Sequence, residues 1–180
     1  MFTKGDIMPK IIENLESRLL AEAYKQTREA GYSALTIRNV AKACGVGVGT
    51  VYNYFASKDE LLATFLLEDW KQCLEAVEAE SQASEEPRNV AKCIYDQLVR
   101  FARRHQNLFQ DPVAADRFAG AFSNYHKLLR GQIALHLRRF CGSDFAAEFV
   151  AEALLTWTMA RVPFDTIYGM IEKLFDVPQP

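Results

Sequence analysis

Apolar residues recur at steps of three and four along almost the whole chain, the spacing that places them on one face of an α-helix. A first helix is predicted from about Pro9 to Ala30, followed by Gly31 as the residue that ends it. Near the other end of the chain, Pro163 separates the last helix from the one before it. No segment alternates with the period of two that indicates a β-strand. The sequence therefore predicts an all-α protein.

Two short helices joined by a glycine are predicted after the first helix. Thr36 is expected to cap the first of them and Gly45 to end it, because glycine adopts a positive φ at little steric cost. The second short helix is predicted from about Val48 to Tyr54, and an S-x-x-E capping box at Ser57 opens a long helix from Lys58 towards Ser81. This order matches the helix-turn-helix, whose second short helix enters the major groove of DNA. Many helical bundles contain a glycine turn, so the pattern alone leaves a bundle without DNA-binding function equally open.

The remaining chain is also predicted to be helical. The polar, acidic segment from Ser81 to Pro87 is interpreted as a linker, across which few contacts are expected. A fifth helix follows through Val90 and His105, and Asp111 and Pro112 have the residue types of an N-cap and a first helical position.

The second short helix has a composition that favours contact with DNA. From Gly47 to Phe55 it carries no charged side chain, but it has two glycines, a hydroxyl, two phenols and an amide. Glycines let a backbone approach phosphates closely, hydroxyls donate to phosphates, and Asn53 can make two hydrogen bonds to adenine.

These segments resemble the DNA-binding domain of TetR-type transcriptional regulators, without a gap from Thr36 to Leu61: Thr36–Ala41, Cys44–Val46, Gly49–Phe55 and Ser57–Leu61. The resemblance implies a three-helix helix-turn-helix domain over residues 1–57, joined by a long helix to a helical ligand-binding and dimerisation domain over residues 58–180. Members of this family are cytoplasmic homodimers that bind palindromic operators and usually release them when a small molecule enters the carboxy-terminal domain. The resemblance thus implies a repressor with operator DNA, a second copy of the chain and a small effector as partners.

The candidate DNA-binding residues differ in the contact expected of each. Base contacts are predicted for Arg38 and Asn53, a groove lining for Gly47, Val48 and Gly49, and phosphate contacts for Thr36, Thr50, Tyr52, Tyr54 and Lys58. Gly47 stands where the family commonly has serine, so one potential phosphate hydroxyl is missing. Val48 is equally open to contact with a thymine methyl and to packing between helices. For Tyr52 the alternative is burial against the first helix.

Aromatic residues beyond the long helix are the candidates for the effector site, with two histidines as polar anchors. The set is Trp70, Tyr95, Phe101, His105, Phe109, Phe118, Phe122, Tyr125, His126 and Trp157. Any of them could instead fill the core of a helical bundle. If they line a pocket, the effector is expected to be small and largely apolar or aromatic.

The last two helices carry an apolar face that is predicted to form a four-helix dimer interface with a second copy. Its residues are Leu154, Trp157, Phe164, Ile167, Tyr168, Ile171, Leu174 and Phe175.

Composition and charge exclude several other classes. The net charge is −2, but residues 1–58 hold eight basic and five acidic side chains, a balance that permits phosphate contact. The four cysteines form no CxxC pair and no catalytic set or phosphate loop is recognisable, so neither a metal site, a cofactor nor an enzyme is predicted. No stretch is long and apolar enough for a membrane helix or a secretory signal, which predicts a cytoplasmic protein without a membrane partner. The alternative function is a DNA-binding protein of the same fold that is controlled by a protein partner or has no effector.

Overall fold

The computed structural model describes residues 14–175, except for the side chains of residues 119–123. Within this range the helices are α1 Leu15–Ala30, α2 Ile37–Cys44, α3 Val48–Tyr52, α4 Lys58–Ala83, α5 Pro87–Arg104, α6 Gln106–Phe109, α7 Pro112–Leu137, α8 Asp144–Met159 and α9 Phe164–Ile171. The described chain has one isolated β-bridge, between Cys141 and Phe175, and no β-strand. The prediction of an all-α protein is confirmed. The predicted start of the first helix at Pro9 lies outside the described residues.

Side chains cap the helices where the sequence predicts them. The Thr36 hydroxyl accepts a hydrogen bond from the backbone N–H of Asn39 at 3.1 Å, and the Ser57 hydroxyl accepts one from Glu60 at 3.1 Å. The Asp111 carboxylate caps α7 by accepting from the first two free backbone N–H groups after Pro112. Each cap satisfies a donor that has no partner within its helix, so these helix starts follow from local sequence.

The segment predicted as a linker is instead a tight turn between two packed helices. α4 continues to Ala83 and α5 begins at Pro87, which leaves only Ser84–Glu86 between them. The two helices share one apolar core, to which α4 contributes Trp70, Cys73 and Val77 and α5 contributes Val90, Ile94 and Leu98. The expectation of few contacts across this segment is therefore wrong. Its polar composition reflects exposure at the tip of a helical hairpin.

Buried apolar side chains form two clusters. The first joins α1, α2 and α3 to Leu61 and Leu62 at the start of α4 and to Leu108, Ala114 and Phe118 of α6 and α7. The second fills the space between the rest of α4, α5, the later part of α7, α8 and α9. Helices α4 and α7 contribute to both clusters, so the chain does not divide into two separate cores at residue 57.

The face of α9 predicted for dimerisation packs inside the chain. Phe164, Ile167, Tyr168, Ile171 and Phe175 are buried in the second cluster, as is Leu154 of α8, and Leu174 packs against the same cluster. They pack against α5 and α8 and so have no free surface for a second copy. Only Trp157 of the predicted interface is exposed. The apolar side chains that do remain exposed on α8 and α9 include Phe145, Phe149, Trp157 and Met170.

Candidate nucleic-acid interface

The angle between α2 and α3 is set by one glycine and two buried anchors. Gly45 has φ 70° and ψ 31°, the left-handed conformation that other residues adopt only with strain. Its backbone N–H still bonds to the carbonyls of Ala41 and Lys42, so the turn follows α2 directly. Val51 of α3 and Phe55 beyond it are buried in the first cluster. α3 is therefore held against the core by one side and exposed on the other.

Most of the residues predicted to contact DNA lie on the exposed side. Tyr52 is 54% exposed and Tyr54 45%, which excludes burial of Tyr52 against α1. Val48 is exposed as well, so its alternative as a buried packing residue does not hold. α3 ends at Tyr52, two residues earlier than predicted, and Asn53 follows with its backbone N–H bonded to the carbonyl of Gly49 at 3.2 Å. The other exposed members of the set are Thr36, Arg38, Gly47, Gly49 and Asn53, while Thr50 is half-buried.

Neither Gly47, which precedes α3, nor Gly49 within α3 is required by packing within the described chain. A Cβ at Gly49 would meet no atom within 4 Å, and one at Gly47 would meet only the hydroxyl of Thr50 at 3.7 Å. Neither residue has the positive φ that Gly45 requires. The absence of side chains at Gly47 and Gly49 therefore leaves a shallow, open surface around the exposed start of α3.

The charge of this surface is positive. Between Thr36 and Tyr54 the only charged side chains are Arg38 and Lys42, and both are exposed. A surface with cations and without carboxylates attracts a polyanion.

Lys58 does not extend from the start of α4 as predicted. Its ammonium donates to the backbone carbonyl of Tyr32 at 3.2 Å and lies 3.9 Å from the centre of the Tyr32 ring. This cation–π and hydrogen-bond pair uses the lysine within the chain. A phosphate contact by Lys58 would require it to leave Tyr32.

Polar contacts connect the helix-turn-helix to α6 and α7. The backbone N–H of Tyr32 donates to Asp111 at 3.1 Å, and Asn107 donates to the carbonyl of Arg28 at 2.8 Å. The hydroxyl of Tyr32 donates to Asp59, which also accepts a bond from Arg117 at 2.8 Å. Burial and the bond to Asp59 raise the pKa of Tyr32 to about 12. Burial alone would raise the pKa of Asp59, but the hydrogen bonds from Tyr32 and Arg117 outweigh it and hold that pKa below its ordinary value.

A buried ionic group lies where the two clusters meet. Asp69 of α4 accepts a bond from Arg104 at 2.7 Å through one oxygen and contacts Nε2 of His105 at 2.7 Å through the other. Aromatic rings surround the imidazole, among them Tyr24 of α1 and Phe101 of α5. Burial lowers the pKa of His105 and outweighs the opposing effect of Asp69. The imidazole is therefore neutral at pH 7 and donates its Nε2–H to the carboxylate.

The described structure has an open cleft beside α1 and α2, and a second cleft of equal volume among the later helices that is large enough for a small molecule. This second cleft has a volume of about 490 Å³ and lies between α5, α6 and the end of α8. Its lining residues are Tyr95, Val99, Ala102, Arg103, Gln106, Phe109, Gln110, Thr158, Met159 and Arg161.

Two of the predicted effector residues, Tyr95 and Phe109, line this cleft. Four others belong to the packed interior or its junction. Trp70 donates from Nε1 to Gln132 at 2.8 Å, Phe101 is buried, His105 is paired with Asp69, and Phe118 packs edge-on against Tyr32 in the first cluster. These four are corrected to structural residues.

Three further predicted effector residues also lie outside the cleft lining. Tyr125 is half-buried, His126 pairs with Glu152 at 2.9 Å, and Trp157 is exposed. The side chain of Phe122 lies outside the described part of the structure. Sequence reasoning missed Arg103, Gln106, Gln110, Thr158 and Arg161, because their lining role depends on two segments that are far apart in the chain.

The family model for bacterial regulatory proteins of the tetR family matches residues 19–64, which contain α2, α3, most of α1 and the start of α4. This part of the chain is therefore similar to the amino-terminal segment that tetR-family regulators share. It is 34% identical over 99 residues to the HTH-type transcriptional regulator YhgD of Bacillus subtilis, across 52% of this chain and 50% of that protein. It is 35% identical over 54 residues to HbdR of Aromatoleum sp., across 30% of this chain and 24% of that protein. The chain thus spans half or less of the length of these curated relatives.

Solved structures extend the likeness of fold beyond the matched segment. Salmonella enterica GusR has a TM-score of 0.70 at 19% identity, with 93% of this chain and 100% of that chain covered. The regulator SCO7518 of Streptomyces coelicolor has a TM-score of 0.70 at 16% identity, with 91% and 99% covered. The likeness of fold to these solved structures therefore includes the carboxy-terminal helices. Because the curated relatives are transcriptional regulators, the prediction that the chain is not an enzyme is confirmed.

Neither a membrane-spanning helix nor a metal-binding cluster is present among the described residues. No helix among them has both the length and the apolar composition to cross a membrane. Among residues 14–175, no three side chains of His, Cys, Asp or Glu converge in a way that could hold a metal ion.

Proposed function

We propose that this chain is a member of the TetR family and a transcriptional repressor that binds a palindromic operator as a homodimer and is released by a small molecule. The observation that carries the DNA-binding part is the exposed side of α3, with Tyr52, Asn53 and Tyr54 outside and Val51 buried behind them. A helix held in this way has side chains available for base edges and phosphates in a major groove.

Gly47 and Gly49 support the same proposal. Because neither Gly47 nor Gly49 is needed for packing or backbone conformation, their role is best explained by something outside the chain. Close approach of the backbone to DNA is such a role, since even a methyl group there would separate the two surfaces. Val48, at the exposed start of α3, then faces the groove, where it can contact a thymine methyl.

The experiment is selection of bound duplexes from a random library, followed by fluorescence anisotropy on the selected operator. Two recognition helices related by a two-fold axis predict half-sites about 34–36 Å apart, or a multiple of one helical turn. Gly49→Ala should weaken operator binding without lowering the melting temperature. Asn53→Ala should reduce discrimination at particular bases by about 1–3 kcal/mol. Unchanged operator affinity in both variants, or no selected sequence, would contradict the proposal.

The surface proposed for dimerisation is the exposed apolar side of α8 with its neighbour on α9. Phe145, Phe149 and Trp157 are 77%, 52% and 53% exposed, and Met170 of α9 is also exposed. Residues 145 and 149 are one helical turn apart, and residue 157 lies two turns further on the same side. Exposed apolar side chains of this size on one side of α8, together with Met170 of α9, favour an interface with a second copy.

Light scattering on size-separated protein tests the dimer. Phe149→Glu should convert it to a monomer at micromolar concentration, whereas Val113→Glu, an exposed apolar position on α7, should leave it dimeric. A monomeric parent protein would contradict the proposal.

Control by a small molecule is supported by the position of α6. Gln106, Phe109 and the following Gln110 line the cleft, while Asn107 bonds to the carbonyl of Arg28 in α1 and Leu108 is buried in the first cluster. A ligand in the cleft would therefore contact one side of α6, and the other side of α6 contacts the helix-turn-helix domain. This arrangement favours a ligand over a protein partner as the controlling agent.

Thermodynamic linkage sets how strongly the ligand must prefer the DNA-free form of the protein. A hundredfold loss of operator affinity requires about 2.7 kcal/mol of preference by the ligand for the DNA-free form. Asn107→Ala, which removes one contact of α6 with α1, should reduce ligand-induced release more than it reduces operator affinity in the absence of ligand. Equal release in both proteins would contradict transmission through α6.

A further inference from the structure

The cleft between α5, α6 and α8 is positively charged. Arg103 and Arg161 line it, and no aspartate or glutamate does. In the described part of the chain, neither guanidinium is within 4.0 Å of a carboxylate, whereas several other arginines are paired. Two unpaired guanidinium groups beside one cavity form a site for an anion.

Thr158 in the wall of this cleft lacks a hydrogen-bond partner. The residue is 4% exposed, and its Oγ1 is a buried polar atom without a partner among the described residues. Buried hydroxyls are normally satisfied, and an unsatisfied one lowers stability. A ligand oxygen in the cleft would supply the missing partner.

Arg161 is placed at the cleft by an unusual turn. It has φ 64°, one of two residues other than glycine with a positive φ in the described chain. Its backbone N–H bonds to the carbonyl of Thr158 at 2.9 Å, so the turn that ends α8 keeps Arg161 next to that threonine. A left-handed arginine is strained, and such strain is concentrated at functional sites.

The rest of the lining is suited to an apolar body. Tyr95, Val99, Ala102, Phe109 and Met159 provide aromatic and aliphatic walls, and Gln106 and Gln110 provide amides. The Tyr95 hydroxyl already donates to the carbonyl of Val162 at 3.2 Å, so this ring presents mainly its apolar surface.

We infer that the cleft binds a small organic acid, whose carboxylate is held by Arg103, Arg161 and the hydroxyl of Thr158 and whose apolar body packs against Tyr95, Phe109 and Met159. This ligand class rests on the proposed function only in its regulatory role, because binding to the cleft can be measured without DNA. It also revises the expectation of a largely apolar effector: the site needs one negative charge.

The test compares carboxylic acids with their primary amides at equal concentration. The probes are hexanoate, octanoate, decanoate, phenylacetate and 4-phenylbutyrate with the five matching amides, assayed by thermal shift and titration calorimetry. At least one acid should raise the melting temperature, and its amide should bind at least about tenfold more weakly, because a charge-assisted hydrogen bond is stronger than a neutral one. No stabilisation by any acid, or equal binding of acid and amide, would overturn the inference.

Substitution of single arginines tests which side chains bind the carboxylate. Arg103→Gln and Arg161→Gln should each weaken acid binding about tenfold or more and leave amide binding unchanged. Arg100→Gln is the matched control, since Arg100 is an exposed arginine on α5 outside the cleft lining. If Arg100→Gln has the same effect as Arg103→Gln, the acid is held by general charge and not by this cleft.

Two substitutions of Thr158 distinguish a contact with the ligand from a purely structural role. Thr158→Val removes the unsatisfied hydroxyl, so it should raise the melting temperature of the free protein and weaken acid binding. Thr158→Ser keeps the hydroxyl and should bind the acid as the parent protein does. A valine variant with full acid affinity would remove Thr158 from the site.

The operator assay distinguishes failure of this inference from failure of the proposed function. An acid that binds through both arginines to a protein without a selectable operator would contradict the proposed function alone. Operator release by neutral compounds, with no dependence on Arg103 or Arg161, would contradict the ligand class alone.

Discussion

Replacement of Asp69 measures how much this buried ionic group, where the two apolar clusters meet, stabilises the protein. This carboxylate is buried and is the shared partner of Arg104 and His105, at 2.7 Å from each. Asp69→Ala removes both acceptors and leaves the buried Nε2–H of His105 without a partner. A buried donor without a partner costs about 1–3 kcal/mol. The guanidinium of Arg104 is about one-third exposed and regains water, so its loss is smaller than that of a fully buried ion pair.

Together, these two losses should lower the free energy of unfolding by about 3 kcal/mol in Asp69→Ala. For a chain of this length, each 1 kcal/mol changes the melting temperature by about 2–4 °C, so a decrease of roughly 6–12 °C is expected. Asp69→Asn should lose only about 1 kcal/mol. Its amide oxygen can accept from Arg104, and its NH₂ can donate to Nε2 if the imidazole carries its proton on Nδ1.

Thermal unfolding followed by circular dichroism at pH 7.5 distinguishes the two variants. Asp96→Ala is the control, because Asp96 forms an exposed ion pair with Lys92 on α5 that is worth only about 0.3–0.5 kcal/mol. Equal melting temperatures for the alanine and asparagine variants of Asp69 would refute the reasoning, since the cost would then not come from unpaired groups.

Three further outcomes are expected. Gly45→Ala should destabilise the protein by about 1–2 kcal/mol, because Gly45 has a positive φ that alanine adopts only with strain. Gly45→Asn should destabilise it less. Gly49→Ala is the control in the same melting assay, because Gly49 has neither a positive φ nor a close neighbour. The folded-state pKa of His105 lies below its ordinary value, so the unfolded chain binds more protons below about pH 6.5. Stability should be complete above that pH and decrease as the pH falls, and His105→Gln should flatten this dependence in melts between pH 5 and 8; an unchanged slope would contradict the assignment. Trp70→Phe removes the bond to Gln132 and part of a buried ring, so urea unfolding should report a loss of about 2 kcal/mol; a loss below 0.5 kcal/mol would contradict this packing.

Local features of the sequence were sufficient for the helices and for the candidate DNA surface. Thr36, Ser57 and Asp111 cap helices because each has a side-chain acceptor that reaches nearby backbone N–H groups. The exposed position of Tyr52 also follows from its place beside the buried Val51. These contacts join residues within a few positions of each other.

Long-range packing explains the predictions that were wrong. Periodicity shows that Phe164, Ile167 and Ile171 share an apolar face, but it does not reveal whether α5 and α8 of the same chain or a second copy covers that face. Sequence position also did not reveal that Lys58, which stays a candidate for phosphate contact, donates to the carbonyl of Tyr32, 26 residues earlier. The cleft has the same origin, because it combines residues 95–110 with residues 158–161.

The contribution of α6 and α7 to the first cluster has a consequence for protein engineering. Leu108, Ala114 and Phe118 bury the same apolar surface as Tyr32, Leu61 and Leu62, so a fragment that stops before α6 would leave that surface in water. Transfer of this DNA-binding unit to another regulator therefore requires residues up to Phe118, with the cleft-lining side of α6 included. A chimaera joined at the end of α4 would transfer the DNA-contacting surface of α3 without the residues of α6 and α7 that complete its apolar core.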